Sequence, residues 1–126
     1  MGLDIGVYRR AYVDEPSVHI PYSGFMRFRR LLATAEGFNL DEMDGYLDSG
    51  GRSWSEIDSP LVPLFNHSDS DGQLWPWECA RIEPRLRDIV TAWDESDWYK
   101  SYGLRLADAM ATVAADEEQE LFLGFH

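Results

Sequence analysis

Hydrophobic and polar residues alternate at both ends of the chain. Leu3, Ile5 and Val7 stand between Asp4, Gly6 and Tyr8, a period of two that predicts a strand with one buried face. Leu121, Leu123 and Phe125 repeat the pattern and predict a strand that pairs with the first, so that the two ends of the chain lie together. Glu15-Pro16 reads as a break, and Val18-His19-Ile20 as a short second strand closed by Pro21. The period then changes. Phe25, Phe28, Leu31, Leu32 and Ala35 form the apolar stripe of a helix over about residues 24–36, with Ser23 as its N-cap and Gly37 at its far end. Arg27, Arg29 and Arg30 fall on its other sides.

Residues 38–59 hold Gly45, Gly50 and Gly51 among short polar residues and show no sustained period. We expect one helical turn at 40–43, with Trp54 and Ile57 tying this connection to the core. Pro60 and Pro63 bracket a short apolar piece, 61–65. A helix follows from about 76 to 93, with Ile82, Leu86, Ile89, Val90 and Trp93 inward, and Pro84 is expected to kink or split it. The last helix spans about 97–115 and buries Tyr99, Tyr102, Leu106, Ala109, Met110 and Val113. The pattern predicts an α+β fold: three main helices packed on a small sheet that includes both termini, in a single domain of residues 1–126 without internal repeats.

Composition supports a packed domain, since 44% of the residues are hydrophobic and 13% aromatic. Charge narrows the partners. Acids outnumber bases 23 to 11, a formal charge of −12, and that average field repels a phosphate backbone. Direct nucleic-acid binding is therefore not expected, whereas a basic protein is a fitting partner. The single cysteine, Cys79, allows no intrachain disulfide. No apolar run approaches the ~20 residues of a membrane span, and the first residues lack the order of a signal peptide. The expected location is the cytoplasm.

The most readable chemistry is the acidic loop at 67–78. In the twelve-residue calcium-loop frame of EF-hands, Asp69 and Asp71 take positions 3 and 5, Gly72 takes 6, Leu74 takes 8 and Glu78 takes 12. Gln73 would offer its backbone carbonyl, and Pro76 suits the first turn of the outgoing helix. Asp69, Asp71, Gln73 and Glu78 are thus the candidate ligands, and calcium the candidate cofactor. Against this frame stand His67 at position 1, a nitrogen donor better suited to zinc, and Pro60 and Pro63 where the incoming helix should be. No second loop pairs with it. The competing reading is a structural turn in which the aspartates form Asx turns, Gly72 supplies a positive φ and Glu78 charges a helix N-terminus. The turn is the preferred of the two.

A second candidate is Tyr22 with Arg27 and Arg29, where an aromatic ring beside guanidinium groups could hold an anionic or planar ligand. The competing reading is an amphipathic helix whose arginines pair with the abundant acids. Cys79 reads as a packed residue, and His19, His67 and His126 lack metal-ligand spacing. No phosphate loop or dinucleotide fingerprint is present, and no residue is assigned a catalytic role.

Four segments carry a resemblance. These are the opening strand at 1–5, Tyr22-Ser23-Gly24-Phe25 leading to Phe28-Arg29, Pro63-Leu64 with Asn66 to Gly72, and the apolar strand closing on Phe125-His126. In these the chain resembles a group of uncharacterised small proteins of bacteriophages and bacterial genomes, actinobacterial ones included. The resemblance is weakest at 38–59. It implies a setting rather than a mechanism, and its shared Ser-Asp-x-acid-Gly turn favours a structural role for the acidic loop. Charge and resemblance lead to one expectation: a non-enzymatic binding or regulatory protein, phage-derived, that acts through a protein partner. The calcium module and the Tyr22–Arg27–Arg29 site are its alternatives.

Overall fold

The alternation at Leu3, Ile5 and Val7 produces β1 (Gly2–Arg9), and all three side chains are fully buried. The computed structural model describes residues 2–9, 12–46, 51–68 and 71–126. β2 (Tyr12–Pro21) returns antiparallel along β1, with Leu3 opposite Ile20 and Asp4 opposite His19. Glu15-Pro16 does not break the strand, contrary to the sequence reading. Gly6 pairs with Ser17 and Val7 with Asp14, so Glu15 and Pro16 form a bulge of two extra residues. A proline has no N–H to give a ladder, and a bulge is where that costs nothing. β2 is also an edge of the sheet, where bulge and proline discourage the pairing of another strand.

The two ends of the chain meet as expected. β4 (Leu121–Phe125) runs antiparallel to β1, with Ile5 opposite Phe125 and Arg9 opposite Leu121. Asp4 and His126 extend the ladder by exchanging two backbone hydrogen bonds of 2.9 Å. A two-residue strand, β3 (Gln73–Leu74), adds to the far side of β4 and completes the order β2-β1-β4-β3. The sequence reading had no strand there.

α1 (Tyr22–Ala35) follows β2 without a loop. Pro21, not Ser23, stands at its N-cap, and its φ of −58° with ψ of 151° turns the extended chain into the helix. Its buried side is Phe25, Phe28, Arg29, Leu32 and Ala33, rotated from the predicted stripe so that an arginine enters the interior. Gly37 closes the helix end at φ +85°, a left-handed conformation that suits glycine.

The turn at 40–42 forms as expected, and Trp54 stacks on Phe65 at 6.2 Å. Phe65 ends the short α2 (Val62–Phe65). α3 (Pro76–Thr91) runs unbroken through Pro84, which lies on its exposed side, where water can replace the lost hydrogen bond. α4 (Trp98–Ala114) is capped by Asp97, whose carboxylate accepts from the Tyr99 N–H at 2.9 Å. α3 and α4 approach closely at Gly103, where an added Cβ would meet Val90 Cγ1 at 2.5 Å.

The helices cover one face of the sheet. Leu3, Ile5, Val7, Ile20, Leu123 and Phe125 enter the core from that face with Phe25, Phe28, Ile82, Leu106 and Met110 from the helices. The architecture is α+β with a strand at each end. Among the described residues no helix is long and apolar enough to cross a membrane.

Candidate functional site

The acidic loop is organised around His67. Its ring stacks on Phe125 at 3.9 Å, with Nδ1 2.9 Å from the Ser68 carbonyl oxygen and Nε2 3.3 Å from that of Gln73. Gly72 has φ +96°, and its carbonyl accepts the Phe125 N–H at 3.0 Å. An added Cβ at Gly72 would stand 3.1 Å from His67 Cε1, so ring and glycine close over each other. Gln73 and Leu74 leave this turn as β3.

Three of the four candidate calcium ligands can be placed. The Gln73 carbonyl faces His67, the Asp71 side chain is exposed, and Glu78 Oε1 accepts the Trp75 N–H at 3.0 Å at the start of α3. Asp69 lies outside the described residues. Among the described residues no three His, Cys, Asp or Glu side chains are grouped to hold a metal ion.

The helix geometry does not bring Tyr22, Arg27 and Arg29 together. Arg29 is 3% exposed. Its Nη1 donates to the carbonyls of His67 at 2.8 Å, Phe65 at 3.2 Å and Leu64 at 3.5 Å. Its guanidinium lies 4.2 Å from the centre of the Phe25 ring. The Tyr46 hydroxyl also donates to the Phe65 carbonyl. Arg29 therefore caps the C-terminal carbonyls of α2, where a cation suits the helix dipole. Arg27 is exposed on another side of α1, in an open depression of about 550 Å³ shared with Ser23, Arg30, Leu31, Thr34 and Tyr99. Tyr22 does not line it. The spacing held the clue: Arg29 is four residues from both Phe25 and Ala33 and three before Leu32, and these share one helix face. The Cys79 thiol is buried, and its desolvation, together with the Glu78 charge, pushes its pKa up to about 12. It is an inert packed side chain.

The resemblance-bearing segments are neighbours in space. Arg29 bonds to the carbonyls at 64–67, Gly72 bonds to Phe125, and Phe125 pairs with Ile5. They brace one corner of the fold.

The face of the sheet opposite the helices offers different chemistry. Asp4 lies between His19 and His126 in one row across three strands. Asp4 Oδ1 is 2.7 Å from His19 Nδ1, and both side chains are more than half exposed. In the next row Gly6 pairs with Gly124, and Gly124 with Gln73. In the third, Tyr8 pairs with Phe122, their rings stacked at 5.7 Å, and Trp75 follows at 5.6 Å from Phe122. Tyr8 leans over Gly124, where an added Cβ would meet its ring at 2.5 Å, and its ring stands 4.6 Å from His126. Burial raises the pKa of the Tyr8 hydroxyl, and the Asp4 charge adds to that. The outward positions of this face described here include no lysine or arginine. Sequence reasoning passed over these residues because it scored the buried half of each alternation. Their signal was the other half, in which Tyr8, His19, Phe122 and His126 are aromatic where solvated strands are ordinarily polar.

No model of a known protein family matches the chain, and neither does any curated protein or solved structure.

Proposed function

We propose that this is a non-enzymatic binding protein that receives a basic protein partner on the open face of its sheet, inside the cell. One observation carries the reading: the aromatic row Tyr8–Phe122–Trp75 and the row His19–Asp4–His126 share the face opposite the helices, with Gly6 and Gly124 in the row between them. Tyrosine and tryptophan dominate the energetics of protein interfaces because they bury much area with few rotatable bonds. Trp75 is 44% exposed, and it is not needed to fill the core. The charge of −12 supplies the second half of the argument, since it steers basic surfaces towards the molecule and repels nucleic acid. In the setting the sequence resemblance implies, that partner is a protein of a bacterial host.

The test is site-directed photo-crosslinking in the cells that make the protein. A photoreactive residue in place of Tyr8 or Phe122 should yield a discrete adduct, identified by mass spectrometry as a protein with a basic surface. The same residue at Thr112, exposed on α4, should yield none. Equal adducts from both positions, or adducts from neither, would remove this reading.

A further inference from the structure

We infer that the depression between α2 and the first turns of α3 is a binding site for a small aromatic carboxylate, with its ring against Trp77 and its charge on Arg81. The inference goes beyond the docking reading and does not depend on it.

The depression holds about 270 Å³, close to the lower bound of small-ligand sites, and is walled by Trp54, Ile57, Val62, Pro63 and Trp77. Trp54 is a fixed part of that wall. It stacks on Phe65, meets Phe38 edge-on at 6.2 Å and donates its indole N–H to the Asp44 carbonyl at 3.1 Å. Trp77, at the start of α3, is 65% exposed and is not needed to fill the core, so its area is available to a ligand ring.

Two of the polar groups that line the depression are already engaged. Ser59 Oγ donates to Glu36 at 2.6 Å and accepts the Leu61 N–H at 3.1 Å. Glu78 Oε1 accepts the Trp75 N–H at 3.0 Å. Arg81 lines the same depression, one helical turn after Trp77 on α3. It is exposed and makes no hydrogen bond or ion pair among the described residues. That stands out in a chain with 23 acids against 11 bases, where Arg9, Arg30, Arg52, Arg85, Arg87 and Lys100 each reach an acid. An apolar hollow with a guanidinium on its lining complements a planar ring that carries a carboxylate, which the guanidinium can grip through two N–H groups. The net charge decides the size of the occupant. An acidic protein would be repelled across its whole surface, whereas a single carboxylate feels chiefly the charges within about 8 Å at physiological salt.

The experiment titrates the full chain by calorimetry with naphthoate, its neutral carboxamide and the matching naphthylmethylammonium ion. Naphthoate should bind about fivefold or more tighter than the carboxamide, and the ammonium ion should bind most weakly. Trp77→Ala should weaken naphthoate and carboxamide alike. Arg81→Gln should lower naphthoate to the affinity of the carboxamide and leave the carboxamide unchanged. Both side chains are exposed, so both variants should fold. Arg87→Gln makes the same charge change on α3 outside the depression and should leave the order of the probes intact. Equal affinities for the probes, or equal effects of Arg81→Gln and Arg87→Gln, would mean that no carboxylate seat exists at Arg81, and the inference falls. It falls as well if Trp77→Ala leaves naphthoate binding unchanged, or if no probe binds at millimolar concentration. Crosslinking at Tyr8 judges the docking reading separately, and neither result decides the other.

Discussion

The two faces of the sheet are built from the same strands yet obey different rules. On the inner face Ile5, Val7, Leu123 and Phe125 are fully buried against the helices. One residue along, Asp4, Tyr8, Phe122 and His126 lie on the outer face, half-buried or exposed, around Gly6 and Gly124. The inner face holds the fold by removing apolar area from water. The outer face keeps apolar rings partly in water, which adds little to folding and leaves area for a partner to cover. Adjacent residues of one strand can thus serve stability and recognition separately, because the pleat points them in opposite directions.

Several substitutions would break or sharpen this contrast. The largest effect is expected for Ile5→Ala or Phe125→Ala, each costing about 2–5 kcal/mol in denaturant unfolding through loss of burial and the cavity left behind. Tyr8→Ala on the same strand should cost about 1 kcal/mol or less, the worth of a cross-strand pair. Equal losses at Ile5 and Tyr8 would show that the outer row is part of the core.

Arg29→Met comes next. It keeps much of the apolar stem but leaves the carbonyls of Phe65 and His67 without their cation, at about 1–3 kcal/mol. Amide hydrogen exchange should speed up first around α2 and residues 66–68. Unchanged exchange there would show that Arg29 does not brace this corner.

Two glycines in close contact separate the faces again. Gly103→Ala drives a methyl against Val90 between two packed helices and should cost about 1–3 kcal/mol. Gly124→Ala meets the Tyr8 ring at 2.5 Å and His126 Nε2 at 3.1 Å, and both rings can swing towards solvent, so stability should change by about 1 kcal/mol or less. If both variants lose the same stability, the outer face is as tightly packed as the inner.

The smallest effect is a pH dependence on the helix side. Burial tends to raise the Glu36 pKa, but hydrogen bonds from Arg85 and Ser59, with the Arg85 charge, hold it below its ordinary value of 4.5. A carboxyl whose folded pKa is depressed contributes its stability above the unfolded value and loses it as pH falls through the folded one. Stability should therefore decline as pH drops below about 4.5, more steeply in the natural protein than in Glu36→Gln. Parallel pH profiles for the two would show that this ion pair contributes nothing.

Much of the fold was legible because its signals are local. Alternation at 3–7 and 121–125 marked the terminal strands, and the helical periods marked the three long helices. Errors fell where a distant partner changed the outcome. Glu15-Pro16 looks like a break until β1 runs beside it and turns it into a bulge. Gln73-Leu74 is too short to register as a strand without β4 to pair with. Arg29 carries the charge of a surface residue, and only the carbonyls of α2, brought in from 35 or more positions away, make its burial favourable. The dominant contact of the acidic loop, His67 on Phe125, joins residues far apart in the chain.

The amino-acid order by itself determined which residues avoid water and with what period, and hence the α+β class with strands at both ends. It determined a net charge of −12 as well, whatever the fold. Only the tertiary structure decided that Asp4, His19 and His126 form one row and Tyr8, Phe122 and Trp75 another. Strand register is set between segments more than a hundred residues apart, and no local period encodes which outward side chains it will place side by side.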